Sequence, residues 1–354
     1  MLRLLMLASL LVVSSPALAV DADKATRIVV DTSDRFVAPV YLALKTSAGA
    51  ARVKVEELCA APSDDALAGA RAGFRALLDF WSRAEPVRFG PIAEDNRLEK
   101  LLYWPDRKSI GLKQVQEALA TGDPTVESLA TLQQKSVALQ GLGTLEFLLF
   151  GTGSEVLAKG DEHRCRFASS VAQNVEQLTA AVESEWTGTF SRTWTAPGEG
   201  NGRYRTADES LTEVLNTLIH GLEMVRDVRL GGFLAETADK DRPRLAIWWR
   251  SGMTTESIRA NLDSLRQLFE LSNLEDLLPE ESRWIAGSIA FEFENASKTL
   301  ATMGGPIDDI LKDPGQRDKL NYVRLVTTSL SELIGTRFTA EVGLTAGFSS
   351  LDGD

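Results

Sequence analysis

The sequence predicts an all-α protein built as two helical-bundle domains, four main helices each and of up-down type, with a cleft between them. Three observations lead there. Apolar residues recur at spacings of three and four along most of the chain, which gathers them into one stripe of a helix. Alternating strand patterns are scarce; Arg27-Ile28-Val29-Val30 is the best of them, and it leads into the first helix. Finally, 354 residues is long for one domain, and a breaker-rich segment near the middle separates two comparable sets of stripes.

Residues 1–19 read as a signal peptide. Arg3 supplies the positive start, Leu4 to Val13 is an apolar run of signal length, and Ala17-Leu18-Ala19 gives a small-x-small cleavage pattern. The run is too short to span a bilayer. No cysteine follows the cleavage point to take a lipid, and no later segment is apolar for long enough to cross a membrane. The expectation is a soluble protein exported to a bacterial periplasm.

The N-terminal bundle is expected over residues 20–190. A helix around Val37 to Leu58 comes first, and a second around Asp65 to Arg83 carries Leu67, Ala70, Phe74, Leu77, Leu78 and Trp81 on one face. A loop-rich stretch from Glu85 to Gly111 follows, then a helix containing Gly141 to Gly151 and another from about Arg164 to Trp186. Pro197 and the glycines 188, 198, 200 and 202 mark residues 187–206 as a connection, with 191–205 as the linker proper. The C-terminal bundle, 206–354, is expected to hold helices near Asp208–Glu236, Thr255–Leu271, Glu280–Met303 and Gly315–Thr339. Leu211, Val214, Leu218, Leu222 and Val225 form one of its stripes, and Val323, Val326, Leu330 and Leu333 another. No repeat at the level of residues relates the two halves.

Charge and cysteine usage narrow the function classes. The whole chain carries −12, and losing residues 1–19 removes one cation, Arg3, leaving −13. Such a balance disfavours nucleic acid and anionic membrane surfaces, which need clustered lysine and arginine, and is compatible with cations as ligands. Two cysteines, Cys59 and Cys165, in an oxidising compartment point to a disulfide; the alternative is two separate buried thiols. With only His163 nearby, they fall short of a closed zinc shell.

The stretch GLGTLEFLLFG, Gly141 to Gly151, resembles the GxHxxE motif of the imelysin family, with Gly141 and Glu146 in place and Gly143 where the motif has histidine. Arg88-Phe89-Gly90-Pro91-Ile92 resembles the family's FGP stretch, and Leu102-Tyr103-Trp104-Pro105-Asp106 its aromatic-Trp-Pro-Asp segment. Arg250-Ser251 looks like the start of its second-domain region, and the ending Gly347 to Asp354 is close to a GFN-x-x-DGD terminus. The resemblance spans nearly all of the mature chain. It implies an exported two-domain helical protein with a functional cleft, linked to iron uptake or, as the family name suggests, to metallopeptidase activity. Partners would then be iron-uptake components of the cell envelope. A histidine and a glutamate three residues apart share a helix face and can share a metal; here the carboxylate alone carries over.

Glu146 lies among Leu142, Leu145, Phe147, Leu148 and Leu149, so its carboxylate must be paired, protonated or bound to a cation. The functional reading is a residual cation ligand, for iron or another divalent ion, or a polar anchor of the cleft. The structural reading is an ion pair with an arginine such as Arg88 or Arg97. Gly141 and Gly143 each weaken a helix by about 1 kcal/mol relative to alanine, so close backbone packing or a ligand is expected beside them. Glu94, Asp95 and Asp106, in the loop with Phe89, Gly90, Pro91 and Trp104, could offer oxygen ligands to calcium or ferrous iron, although such acids are more often solvated. Asp352-Gly353-Asp354 lacks the spacing of a calcium loop. His163 and His220 are expected on the surface, with no HExxH arrangement, and no serine or cysteine nucleophile pattern occurs. Trp104, Trp248 and Trp249 are read as core edge or as a sugar-binding surface. Three function classes follow: a non-catalytic iron-linked binding protein, a metallopeptidase with Glu146 as base, and a polysaccharide-binding module.

Overall fold

The computed structural model describes residues 20–106 and 108–344, so the expected signal peptide and the Asp352-Gly353-Asp354 ending lie outside the described residues. The chain is all-α: every regular element among the described residues is helical. Helix α1 (Ala22–Asp31) is capped by Asp21, whose carboxylate accepts from the backbone N–H groups of Asp23 and Lys24. It runs through a wider π-helical turn, Thr32–Val37, into α2 (Ala38–Ala60). The Ser63 hydroxyl accepts from the Ala66 N–H to start α3 (Asp64–Ala84). Then come α4 (Ile110–Thr121), α5 (Leu142–Phe150) and α6 (Glu162–Glu185), the last capped by Asp161.

Thr206 caps α7 (Ala207–Glu223), which another π-helical segment, Met224–Leu230, extends. α8 (Thr254–Leu271), α9 (Trp284–Ala301) and α10 (Pro314–Glu332) complete the main set. Pro314 stands in the first turn of α10, where its missing N–H costs nothing, behind an Asp313 cap. α4 has no counterpart among the expected helices. It is twelve residues long, and only Gly111, Val115 and Ala118 bury on it, too few to print a stripe.

Packing sorts the helices into two groups. α2 lies between α3 and α6, with α5 against both α3 and α6; α7, α8, α9 and α10 pack on one another. The most extensive contacts between the groups are those of α3 with α8 and of α1 with α7. The buried apolar side chains form one continuous core through both. The stretch 187–206, rich in glycine, is pinned to this core. Its first part is helical, Trp194 is fully buried, and its indole N–H donates to the Ser210 carbonyl at 3.0 Å while the Ser210 hydroxyl donates back to the Trp194 carbonyl at 2.8 Å. Cys59, at the end of α2, is bonded to Cys165, in the first turn of α6. No helix among the described residues is long and apolar enough to cross a membrane.

Candidate functional site

Helix α5 is buried on nearly every side: Leu142, Leu145, Leu148 and Leu149 have no exposed surface, and Glu146 is 4% exposed. A carboxylate there needs partners, and they come from the turn that leads into α8. Glu146 Oε1 accepts from the Ser251 backbone N–H at 3.0 Å and from its hydroxyl at 2.7 Å. The nearest cation to Oε2 is the Arg250 guanidinium at 3.9 Å, itself stacked on Trp249 and Phe147 with centroid distances of 4.4 and 5.4 Å. Trp248, just before it, has φ +58°, a conformation that bulky residues avoid and that costs about 1–3 kcal/mol. The Thr254 hydroxyl holds the turn by donating to the Ile247 carbonyl at 2.7 Å.

The expected partners of Glu146, Arg88 and Arg97, are engaged elsewhere. Arg97 makes a two-pronged pair with Glu185, at 2.7 and 2.6 Å, and donates to the Pro91 carbonyl. Arg88 lies 3.7 Å from Glu85. The carboxylate is therefore anchored across the two helix groups by serine, with arginine alongside.

Burial raises the pKa of Glu146 above the usual 4.5, against the opposing pull of Ser251 and Arg250. A carboxyl whose folded pKa lies above its unfolded value contributes stability that is complete below the unfolded value and is lost as pH rises through the folded one. Glu146→Gln keeps the acceptor oxygen and removes the titration. Relative to wild type, the variant should therefore gain stability as pH rises above about 4.5, until the wild-type carboxyl is ionised in the folded state. Urea midpoints across that range check this, and a difference that does not change with pH would contradict it.

The two motif glycines have separate reasons. At Gly141 an added Cβ would sit well inside van der Waals contact of the Lys100 and Leu101 carbonyl oxygens. At Gly143 it would meet nothing within 4 Å, and the residue faces open space. Gly141→Ala should thus destabilise by roughly 1–3 kcal/mol or more, whereas Gly143→Ala should be neutral or stabilise by up to about 1 kcal/mol. Thermal or urea unfolding of the two variants side by side measures the contrast.

Gly143 opens onto a cavity of about 520 Å³ that Glu146 also lines. Its apolar walls include Tyr103, Trp104, Phe147, Trp248 and Trp249, and its charged groups are Asp106, Glu146, Asp227, Arg242, Arg244 and Arg250. Size and lining match a small-molecule site. The carboxylates are already committed. Asp106 accepts from the Ile110 and Leu112 N–H groups at 2.7 and 3.1 Å at the start of α4, and Asp227 binds Arg226 through both oxygens. Among the described residues no group of three or more His, Cys, Asp or Glu side chains is placed to hold a metal ion. The donor set does not fit a resident metal.

The remaining candidates lie elsewhere. Glu94 pairs with Arg203 at 2.6 Å and Asp95 with Arg97 at 3.4 Å, neither of them in the cavity lining. Phe89 joins an aromatic cluster with Trp186 and Trp194, at 5.7 and 4.9 Å between centroids, and Gly90, at φ +72°, lies against Phe190. Pro91 is buried in the turn that Arg97 grips. His163 is not on the open surface: its ring nitrogens meet a Glu127 oxygen at 2.5 Å and the Ala118 carbonyl at 3.1 Å. His220 is likewise half-buried.

Sequence reasoning missed Arg242, Arg244 and Asp227, and did not connect Ser251 to Glu146. The signal was the density of cations and tryptophans in RPRLAIWWRS, residues 242–251, where both side-chain types recur without a helical period.

The sequence profile of the imelysin family matches residues 37–335. Two solved structures share the fold. One is an imelysin-like protein from Psychrobacter arcticum 273-4, with a TM-score of 0.75 and 20% identity over 94% of this chain and all of that one. The other is a "putative iron-regulated protein A precursor" from Parabacteroides distasonis ATCC 8503, with a TM-score of 0.74 and 16% identity over 91% of this chain and 96% of that one. Among curated proteins no match is found.

Proposed function

The chain belongs to the imelysin family, and from that premise we propose that it is an exported, non-catalytic binding protein linked to iron acquisition, with an altered ligand site in the cavity around Glu146. One observation carries the reading. The family motif opens onto the cavity at Gly143, where no side chain is present, and its remaining carboxylate is occupied by Ser251 rather than left free for a cation. The iron link draws on the family and on the Parabacteroides distasonis protein, which is named as iron-regulated. The periplasmic address draws on the leader-like residues 1–19, and iron-uptake components of the envelope are the partners in keeping with it.

A metallopeptidase would need Glu146 as base beside a bound metal. The cavity offers a carboxylate held by two serine donors and faced by arginine, a poor setting for zinc. The test is anaerobic purification followed by metal analysis and by titration with ferrous and ferric ions. Wild type should bind neither ion tightly, and Gly143→His, which restores an imidazole three residues before Glu146, should raise transition-metal affinity by about tenfold or more. A tight stoichiometric metal complex of wild type would overturn the altered site. Metal-dependent peptide cleavage abolished by Glu146→Gln would overturn the non-catalytic reading.

A further inference from the structure

The charges of the cavity do not cancel. Asp106 spends both oxygens on the backbone N–H groups at the start of α4, and Asp227 spends both on Arg226. Glu146 is held by Ser251, and Arg250 stands 3.9 Å from its second oxygen. Arg242 and Arg244 line the same cavity, and neither has a carboxylate within ion-pair distance among the described residues. Arg244 lies 5.1 Å from the Trp249 ring centroid and Arg250 4.4 Å from it, so one indole holds two guanidinium groups in place. Three arginines thus converge on a walled cavity, in a chain whose formal charge is −12. Against that background a cationic recess focuses field lines and selects for anions.

We propose that this cavity binds a small, multiply charged oxyanion, its carboxylate or phosphate groups on Arg242, Arg244 and Arg250 and its remaining surface against Trp104 and Trp249. The proposal rests on the cavity being the protein's ligand site, as argued above, and names the class of ligand. Guanidinium groups suit it because their planar fork matches carboxylate and phosphate oxygens two at a time. The volume of about 520 Å³ admits a molecule of polycarboxylate size with its water, or its metal chelate. In this arrangement iron, where it is carried, arrives already wrapped in an anionic chelate, so the missing motif histidine is no obstacle.

Calorimetry on metal-free protein tests this with four probes: citrate, ferric citrate, inorganic pyrophosphate and glucose. At least one oxyanion should bind with a Kd below about 1 mM, and its affinity should fall as salt is raised. The double variant Arg242→Gln/Arg244→Gln, altered only at exposed side chains, should weaken that binding by about tenfold or more with an unchanged far-UV spectrum. Which oxyanion binds identifies the source: citrate or its chelate marks a carboxylate ligand, pyrophosphate a phosphate one. Absence of oxyanion binding up to about 10 mM, equal affinity in the double variant, or glucose binding as tightly would overturn the proposal. Binding of citrate without ferric citrate would uphold it and remove the link to iron, so the two readings fail separately.

Discussion

Replacing Cys59 and Cys165 together by alanine is expected to lower the unfolding free energy by about 4–5 kcal/mol. The bridge closes a loop with a sequence separation of 106 residues, from the end of α2 to the first turn of α6. In the unfolded chain that closure removes entropy in proportion to the logarithm of loop length, which is why a long loop gives a value near the top of the usual range. In the folded chain little is lost besides, because α2 and α6 already pack side by side and Cys165 is 5% exposed within the core. Wild type in strong reductant should therefore unfold at the same urea midpoint as the double variant. Each single variant should show nearly the whole loss, since either one opens the loop. A double variant within about 1 kcal/mol of oxidised wild type would mean that the unfolded chain is already restrained, and the entropic account would be wrong here.

The fold was legible in the sequence because long helices repeat their apolar stripe many times. The Leu67 to Trp81 set lies on the buried face of α3, and the Val323 to Leu333 set on that of α10 and the π-helical turn that continues it. Short elements were less legible. α4 shows too few turns, and the helical start of 187–206 was masked by Gly188 and by the glycines after Pro197, though Trp194 is among the largest fully buried side chains. The site was legible in α5, in the loop before α4, whose Trp104 and Asp106 line the cavity, and in Trp248 and Trp249, but not in its arginines. Glu146 announced itself as a carboxylate on an apolar helix, and burial confirms why it needs partners. Its partner Ser251 lies 105 residues away, and a contact that distant follows from packing of the two helix groups, not from any local pattern. The same distance hid the arginines. Arg242 and Arg244 carry no periodic signal, and Arg250 stands out only through the family resemblance, until folding brings all three to the cavity beside α5.

The contact that sets this turn's neighbourhood is a buried ion pair, and breaking it should have an effect comparable to losing the disulfide. Glu85, just past α3, accepts from the Arg229 guanidinium, and each side chain is 1% exposed. Asn261 of α8 donates to the second Glu85 oxygen at 3.3 Å and to the Ser82 carbonyl at 2.5 Å. The Arg229 guanidinium also lies on the Trp104 ring, 4.2 Å from its centroid, which fixes a wall of the cavity. Burial lowers the Arg229 pKa against the pull of Glu85, a sign of how strongly desolvation works on this charge. Two guanidinium nitrogens, Nε and Nη1, have no hydrogen-bond partner, so the pair is not fully compensated. It follows that Glu85→Leu, which leaves the Arg229 charge alone in the core, should cost about 3–5 kcal/mol, and Arg229→Leu, which leaves buried Glu85 with only Asn261 and the more distant Arg88, should cost no more than that. Removing both should cost less than either single change, because the desolvation penalty disappears with the charges. Urea unfolding of the four proteins gives the double-mutant cycle. A double variant as damaged as the sum of the singles would show that the pair contributes by packing alone. If the pair does orient Trp104, then Arg229→Leu, at temperatures where it is folded, should also shift the tryptophan fluorescence of the cavity. Glu85→Leu should shift it less, since Arg229 keeps its place on the ring.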